Sequence, residues 1–339
     1  MPPNENRRFV LKSRPSLLAG PENFKLELCP IPELRPGQAL AKIEMAALSA
    51  WQGMRTKEFR NFIRPFDIGE LISCDTFSRI VASNCENLPV GSTVVGRQGW
   101  QEYAVITARD AALVGPEYTA EEWLTVLSSP GQTPFIAFSQ KARPMPGETL
   151  VVTSAAGAVG GYAVQLGLLA GMDVIGIAGG SSKTRFVGET LGANEALDYK
   201  SELFERELAA ACKGGVDIFF DTVGGDTADM VIGHLSKRAQ VLLVGRVAAN
   251  NSESPELDMA NMRHAWSQEA TIHAFNRYAF KDLYPYANEK LGKLLRAGKL
   301  KMHNSLVDGI ERTPEALHGL LSGKYVGKVL VKYANPGSG

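Results

Sequence analysis

Residues 150–183, LVVTSAAGAVGGYAVQLGLLAGMDVIGIAGGSSK, hold the side chains whose types and spacing could do chemistry. Ala155, Gly157 and Gly160 form an A-x-G-x-x-G pattern, with alanine in place of the first glycine of the usual G-x-G-x-x-G. Small residues at these positions let a pyrophosphate reach backbone N–H groups at the start of a helix, where the helix dipole favours negative charge. A Cβ on Gly157 would hold the phosphates off, and Gly160 lets the helix pack closely on the preceding strand. The flanks supply the elements that such a site needs. An apolar β-type run at 150–152 precedes the turn. Val159, Ala163, Leu166 and Ala170 then recur at helical spacing, and a second apolar run follows at 174–177. The whole reads as a strand–turn–helix–strand unit that binds a dinucleotide. The blander readings are a ligand-free α/β unit and a membrane helix; the glycines, Gln165, Asp173 and a turn at each end argue against the second.

The end of the second strand bears on which dinucleotide. An NAD site usually places an acid there for the ribose 2′-hydroxyl. The sequence reads Ala178-Gly179-Gly180-Ser181-Ser182-Lys183, with no acid, and Arg185 follows. Lys183, with Ser181 or Ser182, could neutralise a 2′-phosphate, so NADP(H) is expected. Tyr199, after the next strand, is placed to stack or hydrogen-bond near that phosphate. Exposed residues of a helix first turn and a surface tyrosine are the alternatives.

The 339 residues suffice for two domains and a sizeable core. Lys plus Arg and Asp plus Glu each number 36, so neither nucleic acid nor a membrane surface is an expected partner. The N-terminal MPPNENRRFV lacks the apolar region of a secretory signal. Cys29, Cys74, Cys85 and Cys212 are scattered, as free thiols of a reducing cytoplasm would be. His234, His264, His273, His303 and His318 show no metal-ligand spacing, and no metal is expected.

Residues 1 to about 125 read as short strands punctuated by Pro and Gly, at 8–11, 24–29, 39–48, 80–83, 92–95 and 99–105. This pattern predicts a partly open β-barrel. From there the pattern alternates. Helices are expected at 121–123 and 134–141. Beyond the opening unit come helix 182–191, strand 196–198, helix 201–212, strand 216–221, helix 227–235 and strand 241–244. That order implies a doubly wound parallel sheet. Residues 246–262 read as a polar loop, 281–297 as an amphipathic helix, and 327–332 as a strand that could return to the first domain.

Several blocks together resemble the medium-chain dehydrogenase/reductase superfamily, in its zinc-free branch of prostaglandin, alkenal and curcumin reductases. They include LSAWQGMR (48–55), VGRQGWQEYAV (95–105), GETLVVTSAAGAVGG (147–161), LGANEALDYK (191–200), FFDTVGG (219–225) and LLSGKYVGKVLVKY (320–333). The zinc-type G-H-E motif is absent. The resemblance implies an α/β protein with a GroES-like barrel domain (1–125 and 300–339), a Rossmann domain (126–299) and a substrate cleft between them. It implies a cytoplasmic, NADPH-dependent enzyme. Such an enzyme reduces the C=C bond of an α,β-unsaturated carbonyl by hydride transfer to the β-carbon, and departures from the family motif make a specialised pathway intermediate one option for the substrate. Because such proteins are commonly dimers, a homodimer is an option, although no stretch of sequence specifies one.

Carried over residue by residue, the NADP contacts fall on Gly157, Ala158, Val159, Lys183 and Tyr199. Thr222 stands where many relatives have Asn, and Gly245 lies on the expected nicotinamide side. Three substrate-facing blocks depart from the pattern. The family's L-S-x-D-P-Y-M-R becomes Leu48-Ser49-Ala50-Trp51-Gln52-Gly53-Met54-Arg55, so a tyrosine is replaced by Gly53, and Trp51 and Gln52 would reshape the substrate wall. T-A-Y-F becomes Ile136-Ala137-Phe138-Ser139, placing Phe138 in that wall. In the G-x-N-x-G-K tail, Tyr325 replaces a cofactor-facing Asn. Tyr278 matches a tyrosine bordering the substrate pocket and is the remaining candidate acid or oxyanion donor, with simple packing as its alternative. Arg55 is expected to anchor structure, and Trp100 and Tyr103 to lie in the core. These losses leave a second function open: an NADPH-binding protein without enone reductase activity.

Overall fold

The computed structural model describes residues 5–58, 63–245 and 260–333. The chain divides into two compact units, one running to Leu124 and resuming at Asn304, the other spanning Thr125–His303.

In the first unit β1 (Glu5–Leu11) and β2 (Phe24–Pro30) form an antiparallel pair. β3 (Gln38–Leu48), β4 (Asp75–Ser83), β5 (Thr93–Gly96), β6 (Tyr103–Thr107) and β7 (Ala111–Val114) build the barrel sheet. β3 organises it. One edge pairs with β4, while the other is shared by β6 at Gln38–Lys42 and a much later strand at Met45–Leu48. Trp100 is fully buried against the rings of Phe9 and Phe24, and Tyr103 is also in the core. Arg55 anchors structure. Its guanidinium lies 3.7 Å over the Phe66 ring and donates to the Arg64 carbonyl and the Ser73 hydroxyl at 2.8 and 3.1 Å.

The second unit carries a parallel sheet of β8 (Thr149–Thr153), β9 (Asp173–Ala178), β10 (Glu195–Asp198), β11 (Val216–Asp221), β12 (Leu235–Leu243) and β13 (Thr271–Ala274). Their spatial order is β10-β9-β8-β11-β12-β13. Renumbered within the unit this is 3-2-1-4-5-6, the Rossmann order, with its switch point between β8 and β11. Phe219 and Phe220 of β11 are fully buried, as a central parallel strand covered on both faces requires. The helix Ser129–Ala137 runs on into a wider turn, Phe138–Ala142. The helix expected over 182–191 likewise splits into Ser181–Arg185 and a wide turn, Phe186–Thr190.

The chain then returns. β14 (Asn304–Asp308) and β15 (Lys328–Lys332) pair in parallel, and β15 closes antiparallel on β3. The helix Thr313–Leu321 lies between them in sequence. Most of the loop expected at 246–262 lies outside the described residues. Its last part begins the helix Met262–Ser267.

Candidate dinucleotide site

β8 ends at Thr153, and Ser154 turns the chain with a left-handed backbone, φ 50°. That conformation is unfavourable for a side-chain-bearing residue and marks an over-determined turn. Ala155, fully buried, donates its N–H to the Ile177 carbonyl of the neighbouring strand at 2.9 Å. Gly157, Ala158 and Val159 complete the turn into the helix Gly160–Leu169. Val159, at the cap position, provides no side-chain cap.

The glycines are also needed for a reason internal to the turn. A Cβ on Gly157 would stand 2.7 Å from Ser154 Oγ and 3.0 Å from its carbonyl oxygen. A Cβ on Gly160 would run into the same carbonyl. Both therefore serve first to let the loop fold back on Ser154, and the amide-lined turn follows from that. Gly167 shares in the close approach of helix to strand, since a Cβ there would meet Leu150 of β8. The cradle therefore fits a pyrophosphate: a tight turn of small residues opening an uncapped helix at the carboxyl end of the central strand.

Asp221 fixes the switch point, and the sequence reading missed it. It is 1% exposed at the end of β11. Thr153 Oγ1 donates to Oδ1 at 2.7 Å, and the N–H groups of Val223 and Gly224 add bonds at 2.9 and 3.1 Å. Thr222 N–H in turn donates to Thr153 Oγ1 at 2.9 Å, and Gly245 N–H reaches the Asp221 carbonyl at 3.2 Å. A buried carboxylate satisfied this way locks the ends of β8 and β11 together. Thr222 and Gly245 thus share one edge with the loop. FFDTVGG holds the only sequence signal for this: an acid ending an apolar strand.

At the ends of β9 and β10, the Tyr199 ring lies on Gly179, where a Cβ would stand 2.6 Å from the ring. Gly180 has φ 91°, which favours glycine. Asp198 supplies an acid from the third strand. Its Oδ1 accepts the N–H groups of Gly180 and Lys200 at 2.8 and 3.0 Å, which hold its carboxyl below the usual range. Burial, with Lys200 nearby, lowers the Lys183 ammonium. Ser181, exposed, begins the short helix that carries Lys183.

Other expected site residues fall elsewhere. Gln52 is fully buried. Its Oε1 accepts from Ser49 N–H at 2.6 Å and its Nε2 donates to the Ser73 carbonyl at 3.2 Å. Both ends of the amide serve the backbone, so Gln52 is a helix cap and not a substrate wall. Phe138 is likewise core, 6% exposed and edge-on to Phe220 at 5.6 Å. Gly53 packs the helix Ala50–Arg55 on Leu321, whose Cδ1 would lie 2.6 Å from a Cβ there. A tyrosine at this position would need Leu321 to move. Trp51 is half-buried with the Arg97 guanidinium 5.1 Å from its ring. Tyr325 covers Gly319, where a Cβ would stand 2.6 Å from its ring. Tyr278 is 36% exposed in the turn Arg277–Leu283. Asn276 Oδ1 accepts its N–H at 3.0 Å, and Arg277 and Lys281 lie 5.0 and 5.7 Å from its ring. Gln132 holds Arg277 through a 2.7 Å bond.

The four cysteines are free thiols. Among the described residues no three His, Cys, Asp or Glu side chains are grouped to hold a metal ion. No helix among them is long and apolar enough to cross a membrane.

A GroES-like barrel unit and a second unit with a 3-2-1-4-5-6 sheet and a glycine turn at its switch point define a two-domain, dinucleotide-binding oxidoreductase. Residues 7–114 match the family described as the N-terminal domain of oxidoreductase, and residues 158–292 the family described as zinc-binding dehydrogenase. The chain is 33% identical to the NADPH-dependent curcumin reductase of Escherichia coli (strain K12) over 97% of both chains. It is 28% identical to the 2-alkenal reductase (NADP(+)-dependent) of Nicotiana tabacum over 80% of both. The crystal structure of CurA from Vibrio vulnificus in complex with NADPH superposes with a TM-score of 0.92 at 32% identity, covering 97% of this chain and 100% of that one. The chain belongs to the medium-chain dehydrogenase/reductase superfamily.

Proposed function

We propose that this chain, an NADP-dependent oxidoreductase, reduces the C=C bond of an α,β-unsaturated ketone or aldehyde. The turn at 154–160, at the carboxyl end of the central strand and opening an uncapped helix, is the observation that carries the reading. The substrate class rests on relatives named for the reduction of curcumin and of 2-alkenals.

Ala158, Val159 and Gly160 receive the pyrophosphate on backbone amides, while Ala155 and Gly157, whose N–H groups donate to the Ile177 and Ser154 carbonyls, shape the turn beneath it. Ser181, Lys183 and Tyr199 take the 2′-phosphate side, and Thr222 and Gly245 border the nicotinamide. The bound dinucleotide supplies the hydride. Addition at the β-carbon leaves negative charge on the carbonyl oxygen, which needs a hydrogen-bond donor, and the α-carbon needs a proton. Tyr278 is assigned the donor role, with the cations of Arg277 and Lys281 5.0 and 5.7 Å from its ring. Trp51 and Tyr325 shape the remaining contacts.

The test is NADPH oxidation followed by absorbance with a panel of enones, enals and quinones. Turnover on enones or enals is expected. Tight NADPH binding without turnover on any of them would sink the substrate class. Tyr278→Phe is expected to lower kcat about 100-fold with little change in KM, the scale of a lost general acid. An unchanged rate removes Tyr278 from the chemistry. Light scattering on the purified protein tests the homodimer.

A further inference from the structure

His303 is 6% exposed and lies directly beneath the first turn of the helix Gly160–Leu169. A Cβ on Gly161 would run into its imidazole, so the helix start and the ring occupy adjoining space with nothing between them. The Tyr162 ring packs on the imidazole at 4.4 Å, and the Phe186 ring lies 6.0 Å away. Gln165, also buried, ties the segment carrying His303 to the same helix. Its Oε1 accepts from Lys301 N–H at 2.7 Å and its Nε2 donates to the Lys301 carbonyl at 3.1 Å.

The two ring nitrogens differ. Nδ1 is 3.3 Å from the Lys301 carbonyl, which can only accept, so the neutral ring carries its proton on Nδ1. Nε2 is then a bare lone pair, buried and without a hydrogen-bond partner. Burial is the largest influence and keeps the ring neutral, while the backbone of Lys301, Gly157 and Ala158 pulls the other way, toward the protonated ring. The titratable side chain against the ring is Tyr162, whose phenol burial pushes up to about 12, so it stays uncharged. The ammonium of Lys301 turns away to the Thr190 carbonyl at 2.9 Å.

We propose that His303 is a positioning residue for the dinucleotide turn: an uncharged ring wedged under Gly161 that takes up a proton on Nε2 when an anionic diphosphate occupies the turn above it. The proton comes from solvent and no other bond changes. The inference rests on the dinucleotide reading above. An unpartnered acceptor in the interior is costly, and a diphosphate across one turn of backbone offsets the burial that opposes the cation. The sign follows by linkage. If binding raises the proton affinity of His303, the cofactor binds more tightly at low pH, and the gain is lost as pH rises through the value of the bound form.

The experiment measures NADP+ affinity of the full chain at pH 6 and pH 8, for wild type and His303→Asn. Asn keeps a donor for the Lys301 carbonyl and lacks Nε2. The variant is expected to bind about 3- to 10-fold more weakly at pH 6 and about equally at pH 8, a flattened profile. Titration of the 2′-phosphate is common to both proteins and cancels in the comparison. Equal weakening at both pH values would reduce His303 to packing and overturn the proposal. Should the variant fail to fold, histidine NMR of wild type decides. The His303 titration midpoint is expected to rise by about half a pH unit or more on saturation with NADP+, and an unmoved midpoint overturns the proposal. Absence of NADP+ binding by wild type would instead overturn the dinucleotide reading itself, and this inference with it.

Discussion

Two helix starts in this chain are finished in opposite ways. At Ala50–Arg55 the polar residues are spent on the protein itself. Gln52 turns back to Ser49 N–H and across to Ser73, and Lys328 Nζ donates to Ser49 Oγ at 2.5 Å. At Gly160–Leu169 Val159 caps nothing, and the preceding turn is made of alanines and glycines. The first end is satisfied by side chains; the second has no side-chain cap, as suits a helix start that meets an anion. On the proposed reading, side-chain polarity is a poor guide to where a polar ligand binds, because the apolar turn would be the receptor while the buried glutamine is scaffold.

Substitutions can break or sharpen that contrast. Gly160→Ala drives a Cβ into the Ser154 carbonyl, and the turn has no side chain that can yield. NADPH affinity is expected to fall ~100-fold or more, about 2.8 kcal/mol, measured by calorimetry on folded protein; unchanged affinity would mean the turn is not the receptor. Lys183→Ala should weaken NADPH ~10- to 100-fold and NADH by less than ~3-fold. Equal loss for both cofactors would end the 2′-phosphate assignment. Gln52→Leu tests the other helix. It strands Ser49 N–H and the Ser73 carbonyl, at a cost of about 1–3 kcal/mol of stability in thermal or denaturant unfolding, while NADPH affinity is unchanged. A cofactor defect without a stability defect would reverse the comparison. Lys200→Ala is the mildest. Its ammonium lies 5.9 Å from the Tyr199 ring and helps lower Lys183, so NADPH binding should weaken by only ~2- to 3-fold and salt should abolish the difference.

The parts legible in the sequence were those written in local pattern. The 150–183 unit, the alternation of apolar runs and helices, and the apolar VDIFFD strand all lie in contiguous residues, and β11 spans 216–221 as expected. Illegible parts depended on partners far along the chain. β13, Thr-Ile-His-Ala and mostly exposed at the edge of the sheet, offers no apolar face to read. β12 extends back through Lys237 and Arg238, charged residues that lie outside the strand expected at 241–244. Asp221 and Thr153 meet across 68 residues, and Gln52 finds Ser73 across 21. No window of sequence shows such bonds. Phe138 looked like pocket because of its family position. Its contact with Phe220 is set by how the wide turn Phe138–Ala142 lies on the sheet.

The late strand on β3 bears on how the chain is made. Until residues 328–332 have been synthesised, Met45–Leu48 is an open strand edge, while all of Thr125–His303 has already been synthesised. On a translating ribosome the parallel-sheet unit can therefore complete its pairing first, and the barrel, begun earlier, must wait with an unpaired edge exposed to other chains. A nascent chain halted before Lys328 would hold a finished nucleotide fold and an unfinished barrel, and its hazard would be aggregation through β3.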